Sequence, residues 1–291
     1  MSKKIVAIGG GENGRVKLDG TKEPYETGSI DMEIIKITEK ARPNFLFIAH
    51  SQNSEKAQEE YFTTMKKIYE ERYGCECKHL KSKDLKDKEK VEKLVNWSDI
   101  IYEGGGNTLD MIKLWKETGF DIVLENAWKN GKVMCGVSAG ANCWFKKCSS
   151  DSLQIKYGKD QPLICVDCLG FVNGLFVPHC DEPGRHENAK DLLKTNNEIG
   201  ILISNCCGIE IIDDQYRLIT SNESVKNIKP YGIKAYWKNE EYIEENIDDS
   251  LKMKPLNELL SFQNWRFIMK VKNHYIFKVN GKLVVLVFRY W

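Results

Sequence analysis

A chain of 291 residues can bury one large core, or one core with an appendage. With 42% hydrophobic and 29% charged residues it has the balance of an ordinary folded protein, and a formal net charge of +1 gives no global field for holding nucleic acid or an anionic membrane surface. No stretch approaches the roughly 18 uninterrupted apolar residues of a membrane span, and Met1-Ser2-Lys3-Lys4 leads directly into Ile5-Val6-Ala7-Ile8-Gly9, too short an apolar run for a signal peptide, so a cytoplasmic location is expected.

Residues 5–9 and 44–49 are apolar, β-branched or aromatic runs that suit buried parallel strands. Between them, residues 30–41 carry Ile30, Ile34, Ile35 and Ile37 as a helical stripe. Ser54 is placed to cap a long amphipathic helix through about Arg72, with Tyr61, Met65 and Ile68 on one face. Residues 75–80 alternate like a strand, 82–95 contain a charged helix, and 99–103 form another short strand. Helices over 108–116 and 121–130 then lead to a strand at 132–136. Further on, 175–178 reads as a strand ending at His179, 187–195 as a helix, and 208–213 with 215–220 as paired strands around Asp213-Asp214. This βαβα rhythm predicts a doubly wound sheet, whose sites gather at the carboxyl ends of strands.

The composition changes at the end. Residues 261–291 contain six basic residues (Arg266, Lys270, Lys272, Lys278, Lys282 and Arg289) and no acidic one. Asn280-Gly281 between 275–279 and 282–288 marks a two-residue hairpin. The chain therefore divides into a main α/β unit over 1–260 and a basic, aromatic β extension over 261–291. An accessory hairpin packed on the core is expected, with a homodimer contact or an anionic-surface contact as the other readings. The ten cysteines are read as free thiols of a reducing compartment. Cys165-Val166-Asp167-Cys168 has the spacing of a redox or zinc pair, but no second pair completes a ligand set, so no metal is expected.

Chemistry concentrates in Lys132-Val133-Met134-Cys135-Gly136-Val137-Ser138-Ala139-Gly140-Ala141-Asn142, a strand, a Gly-x-Ser-x-Gly turn and small residues able to start a helix. Such a turn pushes its serine out of the fold as a nucleophile elbow, with glycines relieving the crowding on both sides; the bland alternative is a glycine-rich turn. Serine acyl transfer also needs a base, a group that orients it, and donors for the oxyanion. His179 in Phe176-Val177-Pro178-His179 is the best-placed base, against a purely structural histidine. Glu103-Gly104-Gly105-Gly106-Asn107 is the best oxyanion loop, with the Ala139 N–H as partner donor; otherwise it is a flexible loop before a helix capped by Asn107 or Thr108. Gly9, Gly11 and Gly14 satisfy a dinucleotide-binding spacing, but Gly20 and Pro24 interrupt the helix that should follow, so a plain glycine turn is expected and no cofactor.

Gly104-Gly105-Gly106-Asn107-Thr108, the Gly136 to Asn142 run and Pro178-His179 together resemble the peptidase E family of serine peptidases, relatives of cyanophycinase on a class I glutamine-amidotransferase-like fold. The resemblance runs over residues 4 to 260. It implies a flavodoxin-like, mostly parallel sheet, with Ser138 as nucleophile, His179 as general base, and Gly105, Gly106 and Ala139 forming the oxyanion hole. It also implies an acid downstream of the nucleophile, for which Asp151 in Ser149-Ser150-Asp151 fits, with Glu210 as the alternative; Asp181 and Glu182 are read as a solvated turn. Arg185 is the counterpart of the arginine that contacts the substrate carboxylate, and Asn107 is the other expected substrate contact. The expected substrate is a short Asp-Xaa peptide. A cyanophycinase-like or other amide hydrolase, and a non-catalytic ligand-binding module, are the alternatives.

Overall fold

A computed structural model describes residues 1–17, 19–223 and 229–262, together with the backbone of three strands beyond them. The first half alternates as β1 (Lys4–Ile8), α1 (Gly28–Lys36), β2 (Asn44–Ile48), α2 (Glu55–Lys66), β3 (Glu76–His79), α3 (Lys88–Trp97), β4 (Ile100–Glu103), α4 (Thr108–Thr118), α5 (Phe120–Lys129) and β5 (Val133–Val137). Then follow α6 (Ala139–Asn142), β6 (Phe145–Ser150), α7 (Ser152–Tyr157), β7 (Ile164–Asp167), β8 (Val172–Pro178), α8 (Arg185–Asn196) and β9 (Gly200–Ile203). β10 (Cys207–Ile212), β11 (Gln215–Thr220), β12 (Gly232–Lys238), β13 (Glu241–Asn246), β14 (Lys254–Pro255) and α9 (Leu256–Leu260) complete this part of the chain.

The strands form two sheets. The larger has the order β14-β11-β10-β1-β5-β4-β2-β3, in which β1, β5, β4, β2 and β3 are mutually parallel and β10 and β11 close one side antiparallel. Its central parallel strands β1, β5, β4 and β2 are buried on both faces, with Ile5 and Ala7 of β1 in one cluster and Val6 and Ile8 in the other, while the edge strand β3 is partly exposed. β2 leads outward to β3, whereas β4 leads back toward β5 and β1, so the chain reverses direction across the sheet between β2 and β4. That switch point brings the loops after β2 and β4 side by side.

The second sheet, β13-β12-β9-β8-β6-β7, contains the strand that ends at His179. The flavodoxin-like α/β class therefore stands, but while β10, β11 and β14 widen the first sheet, β6 to β9, β12 and β13 build a separate one. Most of that sheet (β6, β7, β9, β12 and β13) lacked a reading from sequence. Its parallel trio β6, β8 and β9 is flanked by antiparallel partners. The first hydrophobic cluster runs across both sheets, from Ile5 and Ile48 through Trp115 and Trp144 to Phe176 and Ile203.

Local rules explain the element ends. Ser54 Oγ accepts the Ala57 N–H at 3.2 Å and caps α2, and the expected helix to Arg72 continues as a wider π-helical turn over Lys67–Arg72. The stripe over 30–41 stops early, because Glu39 turns left-handed at φ +59 ahead of Pro43. β15 (Arg266–Val271), β16 (His274–Val279) and β17 (Lys282–Val287) form an antiparallel three-stranded sheet. Val279 pairs with Lys282 around Asn280-Gly281, which lie outside the described residues. Among the described residues no helix is long and apolar enough to cross a membrane. The cysteines carry free thiols, with the Cys148 and Cys168 sulfurs 3.6 Å apart.

His50 illustrates a fully satisfied core polar group. It accepts from Trp115 Nε1 at 2.9 Å through Nδ1 and donates to the Leu80 carbonyl at 2.8 Å through Nε2. Burial pulls its pKa from 6.5 down to about 4. The unfolded chain therefore takes up this proton first, so the stabilisation is complete above pH 6.5 and is lost as the pH falls toward 4. Chemical denaturation at pH 7 and pH 4.5 should show a steeper loss for the wild type than for His50→Gln, which keeps a donor and an acceptor but does not titrate. The expected difference is about 3 kcal/mol at most; equal losses would refute the assignment.

Candidate active site

Ser138 stands between β5 and α6 at φ +55 and ψ −113, a conformation that a residue with a side chain adopts only when its surroundings impose it. The imposition comes from both sides. A Cβ on Gly136 would lie 2.5 Å from the Glu103 and Gly140 carbonyl oxygens, and one on Gly140 would lie 2.1 Å from Glu103 O. The Gly-x-Ser-x-Gly glycines are thus required by backbone packing against the end of β4. The Ser138 N–H donates to Ile8 O at 3.0 Å, and its carbonyl accepts from the N–H groups of Ala141 and Asn142 at 2.9 Å each. With its backbone pinned, the side chain projects from the bend.

The second sheet brings His179 to meet it. His179 lies just past β8 at φ +53, and its N–H donates to Gly9 O at 3.2 Å. Its Nε2 is 3.0 Å from Ser138 Oγ, and both residues are half-buried. On the other ring nitrogen, Nδ1 is 2.8 Å from Asn205 Oδ1. Asn205 Nδ2 donates to Asp181 Oδ1 and Oδ2 at 3.0 and 3.2 Å and to Glu182 Oε1 at 3.3 Å, while its backbone N–H donates to Asp181 Oδ1 at 2.8 Å. These contacts determine the amide's orientation. Carboxylates only accept, so the NH2 faces them and Oδ1 is left for the imidazole N–H. Nδ1 then carries the proton, and the Nε2 lone pair faces the serine hydroxyl.

Neither acid proposed from sequence orients this ring. The Asp151 carboxylate binds Arg185 Nη2 at 2.8 Å. Glu210, almost completely buried on β10, is clamped by Arg217 through Nε at 2.9 Å and Nη2 at 3.0 Å. Asp181 and Glu182, read as a solvated turn, instead hold the orienting amide, and Glu182 Oε1 also lies 3.5 Å from His179 Nδ1. Asn205 was missed because β9 was missed; as a strand, residues 200–203 would have put Ser204-Asn205 at a carboxyl end.

The glycine loop after β4 lies against the serine, where a Cβ on Gly105 would be 3.5 Å from Ser138 Cβ. Gly105 departs from its expected role, since its N–H donates to Tyr61 Oη at 3.3 Å. Among the described residues, no protein acceptor takes the N–H of Gly106 or of Ala139. Asn107 is also not a free substrate contact. Its side chain caps α4 by accepting from the Asp110 N–H at 3.0 Å, and it donates to Ser152 O at 3.2 Å.

The Gly9-Gly10-Gly11 segment opens no dinucleotide-type helix. It is followed by an extended excursion with bridges between Asn13 and Tyr25 and between Val16 and Lys22. Gly10 passes beneath the imidazole, where a Cβ would lie 2.1 Å from Asn205 Oδ1 and 2.4 Å from His179 Cε1 and Nδ1. Arg185, at the start of α8 and largely buried, lines a cavity of about 350 Å³ with Asp151, Gln154, Lys159, Glu182 and Pro183. Glu182 joins this cavity to the Ser138–His179 pair. Among the described residues, no group of three or more His, Cys, Asp or Glu side chains is arranged to hold a metal ion.

An elbow serine bonded to an imidazole on an α/β scaffold defines a serine hydrolase type of site. The chain matches peptidase family S51 over residues 19–219 and belongs to that family of serine peptidases, of the peptidase E type. It is 31% identical over 237 residues to YgaJ, an uncharacterized peptidase of Bacillus subtilis (strain 168), covering 80% of this chain and 91% of that protein. Among solved structures, a peptidase from an acI-B1 Actinobacterium superimposes with TM-score 0.60 at 18% identity, covering 88% of this chain and 97% of that one. A candidate peptidase E from Listeria monocytogenes EGD-e gives TM-score 0.53 at 19% identity, covering 76% and 99%. These two share the fold.

Proposed function

We propose that this peptidase hydrolyses short peptides through an acyl-enzyme on Ser138. The observation that carries the reading is the 3.0 Å contact between His179 Nε2 and Ser138 Oγ, at a serine held with φ +55. His179 takes the hydroxyl proton as Oγ attacks the scissile carbonyl, then returns it to the leaving amine; a water repeats the sequence to release the acid. The Gly106 and Ala139 N–H groups receive the oxyanion. Asn205 holds the ring, as a neutral amide does in Cys-His-Asn sites. Imidazolium charge is met by the carboxylates of Glu182 and, through the amide, Asp181.

The finer substrate reading is an amino-terminal aspartate. Among the described residues Arg185 spends one of its five N–H donors on Asp151, so the guanidinium keeps capacity for a second carboxylate in the adjoining cavity. Asp151 then orients the arginine rather than the histidine. The same ion pair favours a second reading, in which Arg185 is already neutralised and the substrate is another amide. Aspartyl and alanyl p-nitroanilides separate the two. Arg185→Ala should lower kcat/KM for the aspartyl compound on the order of 10²-fold, the worth of a lost charged contact, and leave the alanyl compound nearly unchanged. Equal losses on both would favour the second reading.

A further inference from the structure

We infer that Ser51 and Gln52, in the turn after β2, are positioning residues that lock the Gly105–Gly106 peptide so that its N–H serves the oxyanion. The inference rests on the Ser138 reading above. Ser51 Oγ is within hydrogen-bond distance of Gly104 O at 3.1 Å and Gly105 O at 2.8 Å, and Gln52 Nε2 donates to Gly105 O at 2.5 Å. Ser51 also accepts the Asn107 N–H on its carbonyl at 2.9 Å. The turn is itself anchored, because the N–H groups of His50 and Ser51 donate at 3.2 Å to the two oxygens of the buried Glu103 carboxyl group.

In a trans peptide the C=O and N–H point in opposite directions. The Gly104–Gly105 peptide displays this: its carbonyl faces Ser51 while its N–H reaches Tyr61 on the other side. The next peptide has its carbonyl held by the same turn, so its N–H, that of Gly106, is directed away from residues 51 and 52. Gly105 and Gly106 have no Cβ to resist rotation, and Gly106 sits at φ +151, so the backbone alone would not hold this plane. A flipped peptide would present an oxygen to the developing oxyanion. The two side chains make that flip unfavourable before substrate arrives, the preorganisation on which oxyanion stabilisation depends.

The test compares the wild type, Ser51→Ala/Gln52→Ala, Gln52→Ala and Ser51→Thr on aspartyl p-nitroanilide and on a fluorophosphonate probe, whose phosphoryl oxygen needs the same donors. The double variant should lose on the order of 10²-fold in kcat, the worth of one oxyanion donor, with KM within about threefold. Its phosphonylation rate should fall in parallel, and Ser51→Thr, which keeps the hydroxyl, should recover most of kcat. Gln52→Ala removes a half-exposed side chain and keeps the test available if the double variant fails to fold. An unchanged kcat, a loss confined to KM, or a Ser51→Thr as slow as the double variant would overturn the lock. Full activity in Ser138→Ala would instead overturn the reading beneath it, so the two failures are distinguishable.

Discussion

Ser138→Ala is expected to lower peptide hydrolysis on the order of 10⁶-fold, because removing the nucleophile of a unit that acts together removes nearly all its catalysis. The fold should be unaffected. Alanine meets the same φ +55 that serine already tolerates, and the bonds of residue 138 to Ile8, Ala141 and Asn142 are made by backbone. What disappears with the hydroxyl is its hydrogen bond to His179. Turnover of aspartyl p-nitroanilide and the thermal midpoint, measured on the same preparation, check this. A folded variant that kept full turnover would sink the nucleophile assignment, and covalent fluorophosphonate capture at any other residue would relocate it.

Gly10→Ala is the second large effect expected, at a residue that carries no reactive side chain. Gly10 does not adopt the left-handed φ that favours glycine, so the effect of alanine there is steric. The new Cβ would lie 2.1 Å from Asn205 Oδ1 and 2.4 Å from the His179 ring, well inside contact distance. Asn205 cannot easily retreat, since Asp181 and Glu182 hold its amide from behind. The ring must therefore move from Ser138 or lose its Nδ1 partner. Misorienting a catalytic imidazole costs on the order of 10⁴-fold in kcat, and a loss of at least about 10³-fold is expected here. Fluorophosphonate labelling should slow with it, while Gly14→Ala, further along the same segment, gives a control for loop damage. A kcat within tenfold of the wild type would show that the His179–Asn205 bond is not required.

Much of this was legible because it is local. The elbow is a contiguous pattern, and buried parallel strands announce themselves as apolar runs, so β1, β2, β4 and β5 were readable. His179 could be placed because its strand ends in Pro178. The second sheet was harder: β6 in Phe145–Ser150 and β13 in Glu241–Asn246 mix polar residues into strands that lie beside others far away in sequence. Strand partnership of that kind depends on tertiary packing more than on propensity. The orienting residue illustrates the same limit. A search for a third member looks for a carboxylate, and Asp151 and Glu210 both satisfied that expectation by type. What decided was which carboxylates had nearer cations: Arg185 takes Asp151, Arg217 takes Glu210, and the imidazole is left to an amide.

The serine comes from the end of one sheet and the imidazole from the end of the other, so neither layer holds a complete reactive pair. Among the described residues, the side chain that meets the Ser138 hydroxyl is His179, which comes from the second sheet. If Ser138 and His179 act as proposed, a chain whose two sheets have not met carries a hydroxyl no more reactive than that of any other serine. On the proposed mechanism, hydrolysis begins only when the two layers meet at Gly9 and Gly10, so activity would report that they have met.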